Sequence, residues 1–173
     1  VATVQGPTLG ELAARGYVLI NFLRHSGCTF CREAVNDIAR VAPQLRDEGC
    51  EVVIVHHSDD DRVQKILADA GIPGVLRVHD RDRGLYRRFG LSEARIEQML
   101  SPFVMLREVE ALLAGHGGGR VDGSWLQLPG AFVLKGQEVV AAFVHRSPAD
   151  RPDYMAMLRL AREAEATQGA AVR

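Results

Sequence analysis

Two cysteines stand three residues apart in the segment Gly27-Cys28-Thr29-Phe30-Cys31. A Cys-x-x-Cys pair either exchanges electrons through a reversible disulfide or supplies half of a metal site. Its place in the chain favours the first. Residues 17–23, Tyr-Val-Leu-Ile-Asn-Phe-Leu, form a continuous apolar run of strand length. After the pair, Val35, Ile38, Ala42 and Leu45 recur at helical spacing. The cysteines therefore sit where a buried strand hands over to a helix. A thiol at a helix start feels the positive end of the dipole and the free backbone N–H groups, which favour thiolate, the species that attacks disulfides. On this reading Cys28 is the nucleophile and Cys31 the resolving thiol. A zinc site would have to recruit His25, His56 or His57, because the chain has no second Cys-x-x-Cys. The third cysteine, Cys50, opens a second apolar run and reads as a small inert hydrophobe.

Other residues converge on the same end of the chain's strands. Arg24 and His25 precede the pair, and His56-His57 closes the second apolar run. A returning hairpin strand would bring His145 and Arg146 to that edge. A cation there would lower the Cys28 pKa or hold an oxyanion. His79 and His116 read as loop residues.

These side chains need a scaffold, and the order of elements supplies one. Residues 17–23, 51–57 and 75–78 read as strands. Helical patterns lie between them, the second with Val63, Ile66, Leu67 and Ala70 on its apolar face, opened by Asp59, Asp60 and Asp61. Pro43 is expected to kink or divide the first of these helices. A β-α-β-α-β order argues for a parallel sheet with right-handed crossovers. Residues 92–100 read as a further helix with Ile96, Met99 and Leu100 inward. Ser101-Pro102 opens another, with Phe103, Leu106 and Leu113 toward the core. Residues 115–119 hold four glycines without the Lys-Ser/Thr of a P-loop and read as a connection. Residues 131–134 and 138–144 flank Lys135-Gly136-Gln137 and form a hairpin. A last helix is expected from a cap at Ser147 or Asp150, with Tyr154, Leu158 and Ala161 buried and a frayed tail after Thr167. The whole, residues 1–173, is expected to be one α/β thioredoxin-like domain. Its central mixed sheet is flanked by helices, with a helical elaboration before the C-terminal hairpin.

Bulk properties narrow the partners. The 173 residues carry a formal net charge of −1, are 47% apolar and 25% charged. No overall field draws such a chain to nucleic acid or to an anionic membrane. Arg81, Arg83, Arg87 and Arg88 are interleaved with acidic residues and read as a solvated face. No apolar run reaches the length of a transmembrane helix, and no signal peptide is visible. A reducing cytoplasm is the expected setting for so few cysteines.

The run Gly27-Cys28-Thr29-Phe30-Cys31-Arg32-Glu33 after a buried strand resembles the peroxiredoxin-like branch of the AhpC/TSA family, related to the selenoprotein-L-like proteins. Gln127-Leu128-Pro129-Gly130-Ala131-Phe132-Val133-Leu134, Val144-His145-Arg146 and Asp150 extend the match over about residues 15–162. The resemblance implies a thioredoxin-like fold and thiol chemistry directed at peroxides or disulfides. Cys28 would match the family's first redox cysteine, Cys31 its second, and Pro129 the cis-proline that faces the pair. Arg24, His25, Thr29, His145 and Arg146 would bind substrate or tune the thiols. The family's hydroxyl residue three before the cysteine and proline seven before it are replaced here by His25 and Asn21.

The expected function is a thiol-dependent oxidoreductase with an antioxidant role. It would need no cofactor or metal and would be recycled by an external thiol such as a thioredoxin or glutathione system; a homodimer is compatible with it. The competing class is a non-catalytic binding module on the same fold, with zinc or nothing at the cysteines.

Overall fold

The computed structural model describes residues 1–94, 102–116 and 122–171. The helical expectation for residues 95–100 and the cap at Ser101 lie outside them. The chain opens with α1 (Leu9–Arg15), held by a capping box between Thr8 and Glu11. Then come β1 (Tyr17–Phe22), α2 (Thr29–Asp47), β2 (Cys50–His56), α3 (Asp60–Asp69) and β3 (Leu76–His79). After them follow α4 (Gly84–Arg88), α5 (Pro102–Leu113), β4 (Gly130–Lys135), β5 (Glu138–Val144) and α6 (Tyr154–Ala171).

Five strands of the described residues form one sheet in the order β3-β2-β1-β4-β5. β1 runs parallel to β2, and β2 to β3; β4 lies antiparallel to β1 and to β5. β1 is thus central, and all six of its residues are buried, which is why it reads as an unbroken apolar run. Its alternate residues serve two cores. Leu19 packs with Val35, Ile38, Leu158 and Ala161 beneath α2 and α6, whereas Val18, Ile20 and Phe22 pack with Leu12, Tyr86 and Phe132 on the other face. This mixed sheet flanked by helices is the thioredoxin-like architecture.

Several expectations change. α2 is continuous through Pro43, whose exposed position in the helix's closing stretch leaves the unmet carbonyl to solvent. His79 is the last residue of β3 and stacks on His56 at 5.0 Å. α5 buries Val104 and Ala111, while Leu106 and Leu113 are exposed: the smaller residues fit against α2. The final helix starts at Tyr154, so Pro148 and Pro152 lie in the turn before it. Asp153 accepts the Ala156 amide there at 2.9 Å. Asp150 instead closes the preceding turn on the Arg146 and Ser147 amides. α6 continues to Ala171, past the expected fraying point.

Candidate redox site

Cys28 is the N-cap of α2, and no side chain caps that helix start. Both cysteines are reduced and buried, Cys28 at 5% and Cys31 at 4% exposure. Arg24, at the exit of β1, serves both. Its backbone N–H donates to Cys31 Sγ at 3.2 Å, and its guanidinium Nη1 donates to Cys28 Sγ at 3.6 Å.

The two thiols are driven apart. A hydrogen bond donated by the Cys31 thiol lowers the Cys28 pKa most; the Arg24 charge and the Cys31 and Phe30 backbone amides add to it, against the opposing effect of burial. Burial, followed by the neighbouring Cys28 sulfur, pushes Cys31 well above the ordinary thiol value. This asymmetry is that of an attacking thiolate beside a thiol held in reserve.

Cys50 plays no part in this pair. It opens β2 opposite Tyr17, roughly 20 Å of strand from the end that carries Cys28. Burial raises its pKa to about 11.

Three histidines near the pair are held neutral at pH 7. His25, His57 and His145 are each pushed down to about 4, first by burial. Arg24 is therefore the cation that acts on Cys28. His56 is structural: its Nδ1 meets the Ser58 carbonyl and its Nε2 meets Asp60, both at 3.1 Å. Thr29 donates to Glu108 at 3.1 Å and so ties α5 to the start of α2. Arg146 is exposed and lies outside the walls described next. Among the described residues no group of three or more His, Cys, Asp or Glu side chains is placed to hold a metal.

A narrow cleft opens beside Cys31. Asn21 to Arg24 form its floor, and Glu33, Ala34 and Asp37 of α2 form one side. Pro129, His145 and the turn at residues 148–152 form the other, closed by Tyr154. The Tyr154 hydroxyl donates to the Asn21 carboxamide at 3.2 Å, so Asn21 holds α6 against the site. The Leu128–Pro129 bond is trans, not cis. Trans is the default X-Pro isomer, and Pro129 reaches the cleft wall beside Cys31 without departing from it.

Residues outside the expected set complete the site. Buried Glu33 accepts from Arg107 at 3.2 Å and from Arg151 at 2.5 Å, strapping α5 and the turn before α6 onto α2. A loop at residues 122–127 is tied to the segment that leads into Cys28. Asp122 accepts from the Ser26 amide and hydroxyl and from the Asp59 amide. Ser124 donates to His57, and the Trp125 carbonyl accepts from Arg24. Asp122 follows the glycine-rich stretch, and nothing in its local sequence separates it from a connecting loop.

Gly123 makes that loop possible. Its φ is +100°, and a Cβ there would lie 2.6 Å from the His57 ring. Gly123→Ala is expected to cost about 1–3 kcal/mol and to speed Cys28 alkylation by loosening the loop. Urea midpoints and iodoacetamide rates check both effects; an unchanged midpoint would show that the loop adapts.

A buried cysteine pair at the helix start after the central parallel strand defines a thioredoxin-fold thiol protein. The family model of AhpC/TSA antioxidant enzymes matches residues 37–148, well over half of the chain, and the chain belongs to that family. The matched span begins inside α2, after Cys31, and ends just past His145. Prostamide/prostaglandin F synthase of Danio rerio is 25% identical over 151 residues, which are 83% of this chain and 73% of that one. The bacterioferritin comigratory protein of Xanthomonas campestris, described for alkyl peroxide reduction, has a TM-score of 0.64 at 18% identity. That match covers 94% of this chain and 90% of the other. A secreted disulfide oxidoreductase of Mycobacterium tuberculosis has a TM-score of 0.55 at 13% identity, covering 93% and 92%. At such identities the likeness is one of fold, and the two structures carry different thiol chemistries.

Proposed function

We propose that the chain reduces peroxides, with Cys28 as the attacking thiolate and Cys31 as the resolving thiol. The observation that carries this reading is the asymmetry of the pair: the Cys31 thiol and the Arg24 guanidinium converge on Cys28 and favour its thiolate. The Cys28 thiolate attacks one peroxide oxygen. An S–O bond forms, the O–O bond breaks, and the departing oxygen takes a proton from solvent to leave as alcohol or water. Cys31 then attacks the Cys28 sulfenic acid, a disulfide forms, and water leaves. Two electrons pass from the pair to the peroxide. An external thiol restores the reduced state.

The choice of a peroxide over a protein disulfide rests on size. Cys28 is 5% exposed, which suits an oxidant of two oxygens better than a folded partner. Family membership points the same way.

A pulse of hydrogen peroxide followed by peptide mapping tests the reading. A Cys28–Cys31 disulfide is the expected product, with a Cys28 sulfenic acid accumulating in Cys31→Ser. A dominant Cys28–Cys50 bond, or two thiols that stay free, would overturn it.

A further inference from the structure

The Cys31 sulfur is held by one peptide group, and a distant tyrosine holds that group from its other end. The Arg24 N–H donates to Cys31 Sγ at 3.2 Å. The carbonyl of the same peptide unit belongs to Leu23, and it accepts from the Tyr86 hydroxyl. A peptide unit is planar, and in the trans form its N–H and C=O point opposite ways. Fixing the carbonyl therefore fixes the direction of the N–H. A donor on the carbonyl also polarises the unit and strengthens its N–H as a donor.

Tyr86 is itself firmly placed. It lies on α4, whose start is anchored by the Asp80 carboxylate, which accepts from the Gly84, Leu85 and Tyr86 amides at 3.0, 2.7 and 3.3 Å. Its ring is fully buried and meets Phe22 at 4.9 Å and His57 at 5.3 Å, both edge-on. The Val55 carbonyl stands 3.2 Å from the same hydroxyl oxygen, so the phenol joins the ends of β1 and β2. Burial, followed by the neighbouring Cys31 sulfur, pushes that hydroxyl well above the ordinary phenol value, and the donated proton stays on it.

We propose that Tyr86 is a positioning residue for the resolving step: through the Leu23–Arg24 peptide its hydroxyl holds an N–H on the Cys31 sulfur while that sulfur becomes the attacking thiolate. This rests on the reading of Cys31 as the resolving thiol. In that step Cys31 gives up its proton, its sulfur bonds to Cys28, the Cys28 S–O bond breaks, and the departing hydroxide leaves with a proton as water. A sulfur at 4% exposure has little water to stabilise its charge. Hydrogen bonds to an ionised acceptor are the strong ones, so the N–H matters most at that moment. The first attack is served differently. Cys28 meets the Arg24 guanidinium, which the Trp125 carbonyl holds independently of Tyr86.

Tyr86→Phe keeps the ring and removes the hydroxyl. Reduced protein is mixed with one equivalent of hydrogen peroxide, stopped at short times with dimedone to cap the Cys28 sulfenic acid, and peptide-mapped. Closure of the disulfide is expected to slow roughly tenfold, with sulfenic acid forming at the wild-type rate. Phe22→Leu loosens the same packing and keeps the hydroxyl. It should lower the urea midpoint and leave closure unchanged. Wild-type closure in Tyr86→Phe, or equal slowing in both variants, would overturn the proposal. A 3-fluorotyrosine at position 86 is a stronger donor of nearly the same size and is expected to hasten closure; no gain in rate there would overturn it even if Tyr86→Phe does not fold. If peroxide leaves Cys28 unoxidised, the peroxide reading fails on its own. A methylthio cap placed on Cys28 with methyl methanethiosulfonate then reports the same step, as Cys31 attacks the Cys28 sulfur and methanethiolate leaves.

Discussion

Cys28→Ser is expected to lower the rate of alkylation at neutral pH by roughly 100-fold. Cys31 is then the sulfur left at the site, and burial holds its pKa well above 9. Two pKa units above the working pH leave about one thiolate in a hundred. Cys31→Ser should stay fast, because a serine hydroxyl can still donate to the Cys28 sulfur. Cys31→Ala removes that donor, which is the largest influence lowering the Cys28 pKa. Its rate–pH profile should move to higher pH, with about a tenfold loss below the midpoint for each unit. Iodoacetamide kinetics across pH 5–9 read all three variants. Fast alkylation of Cys31 in Cys28→Ser would mean that the roles are exchanged.

Stability is expected to fall steeply as pH drops from 6.5 to 4. His25, His57 and His145 are buried as neutral rings whose folded pKa values lie at about 4. In the unfolded chain they titrate near the ordinary 6.5. Between these limits the unfolded state binds more protons, so stability rises with pH and is fully present above 6.5. After allowance for solvent screening, each histidine contributes about 1–2 kcal/mol. Together they come to about 3–6 kcal/mol, comparable to the lower end of a small domain's stability of about 5–15 kcal/mol. Asp60, whose carboxyl is held low by Arg77, acts in the same direction at still lower pH. Urea midpoints at pH 7, 6, 5 and 4 measure the slope. A midpoint that stays level to pH 4.5 would show that these rings protonate in place.

The parts of the site that were legible in the sequence are local ones. β1 announces itself because all six residues are buried, and the cysteine pair follows within a few residues of its end. His145 could be placed at the site edge because a hairpin has a fixed return direction. The roles of the histidines could not be read. The pattern shows a titratable ring, but burial makes it neutral, and burial is a property of the folded whole. Arg24 was visible as a neighbour of the pair, yet its guanidinium contact with Cys28 depends on the side chain being held by the distant Trp125 carbonyl. Glu33 and Asp122 act through partners more than 60 residues away in the chain, beyond any window of periodicity. Leu106 and Leu113 misled because large apolar residues outweigh Val104 and Ala111 in a pattern, whereas close packing against α2 selects the small ones. The isomer of Pro129 is decided by tertiary contacts that the dipeptide does not contain.

Three-residue spacing at a helix start also bears on chemical damage. A cysteine sulfenic acid that meets a second peroxide is carried to sulfinic acid and lost to the cycle. Here both sulfurs stand at one helix start and both accept from Arg24, so no segment must unwind to bring the two together. Ring closure is a local event, while the second oxidant has to find a sulfur that is 5% exposed. On the proposed peroxide chemistry, the compact pair would survive oxidant excess, with the oxidation ladder halted at its first rung.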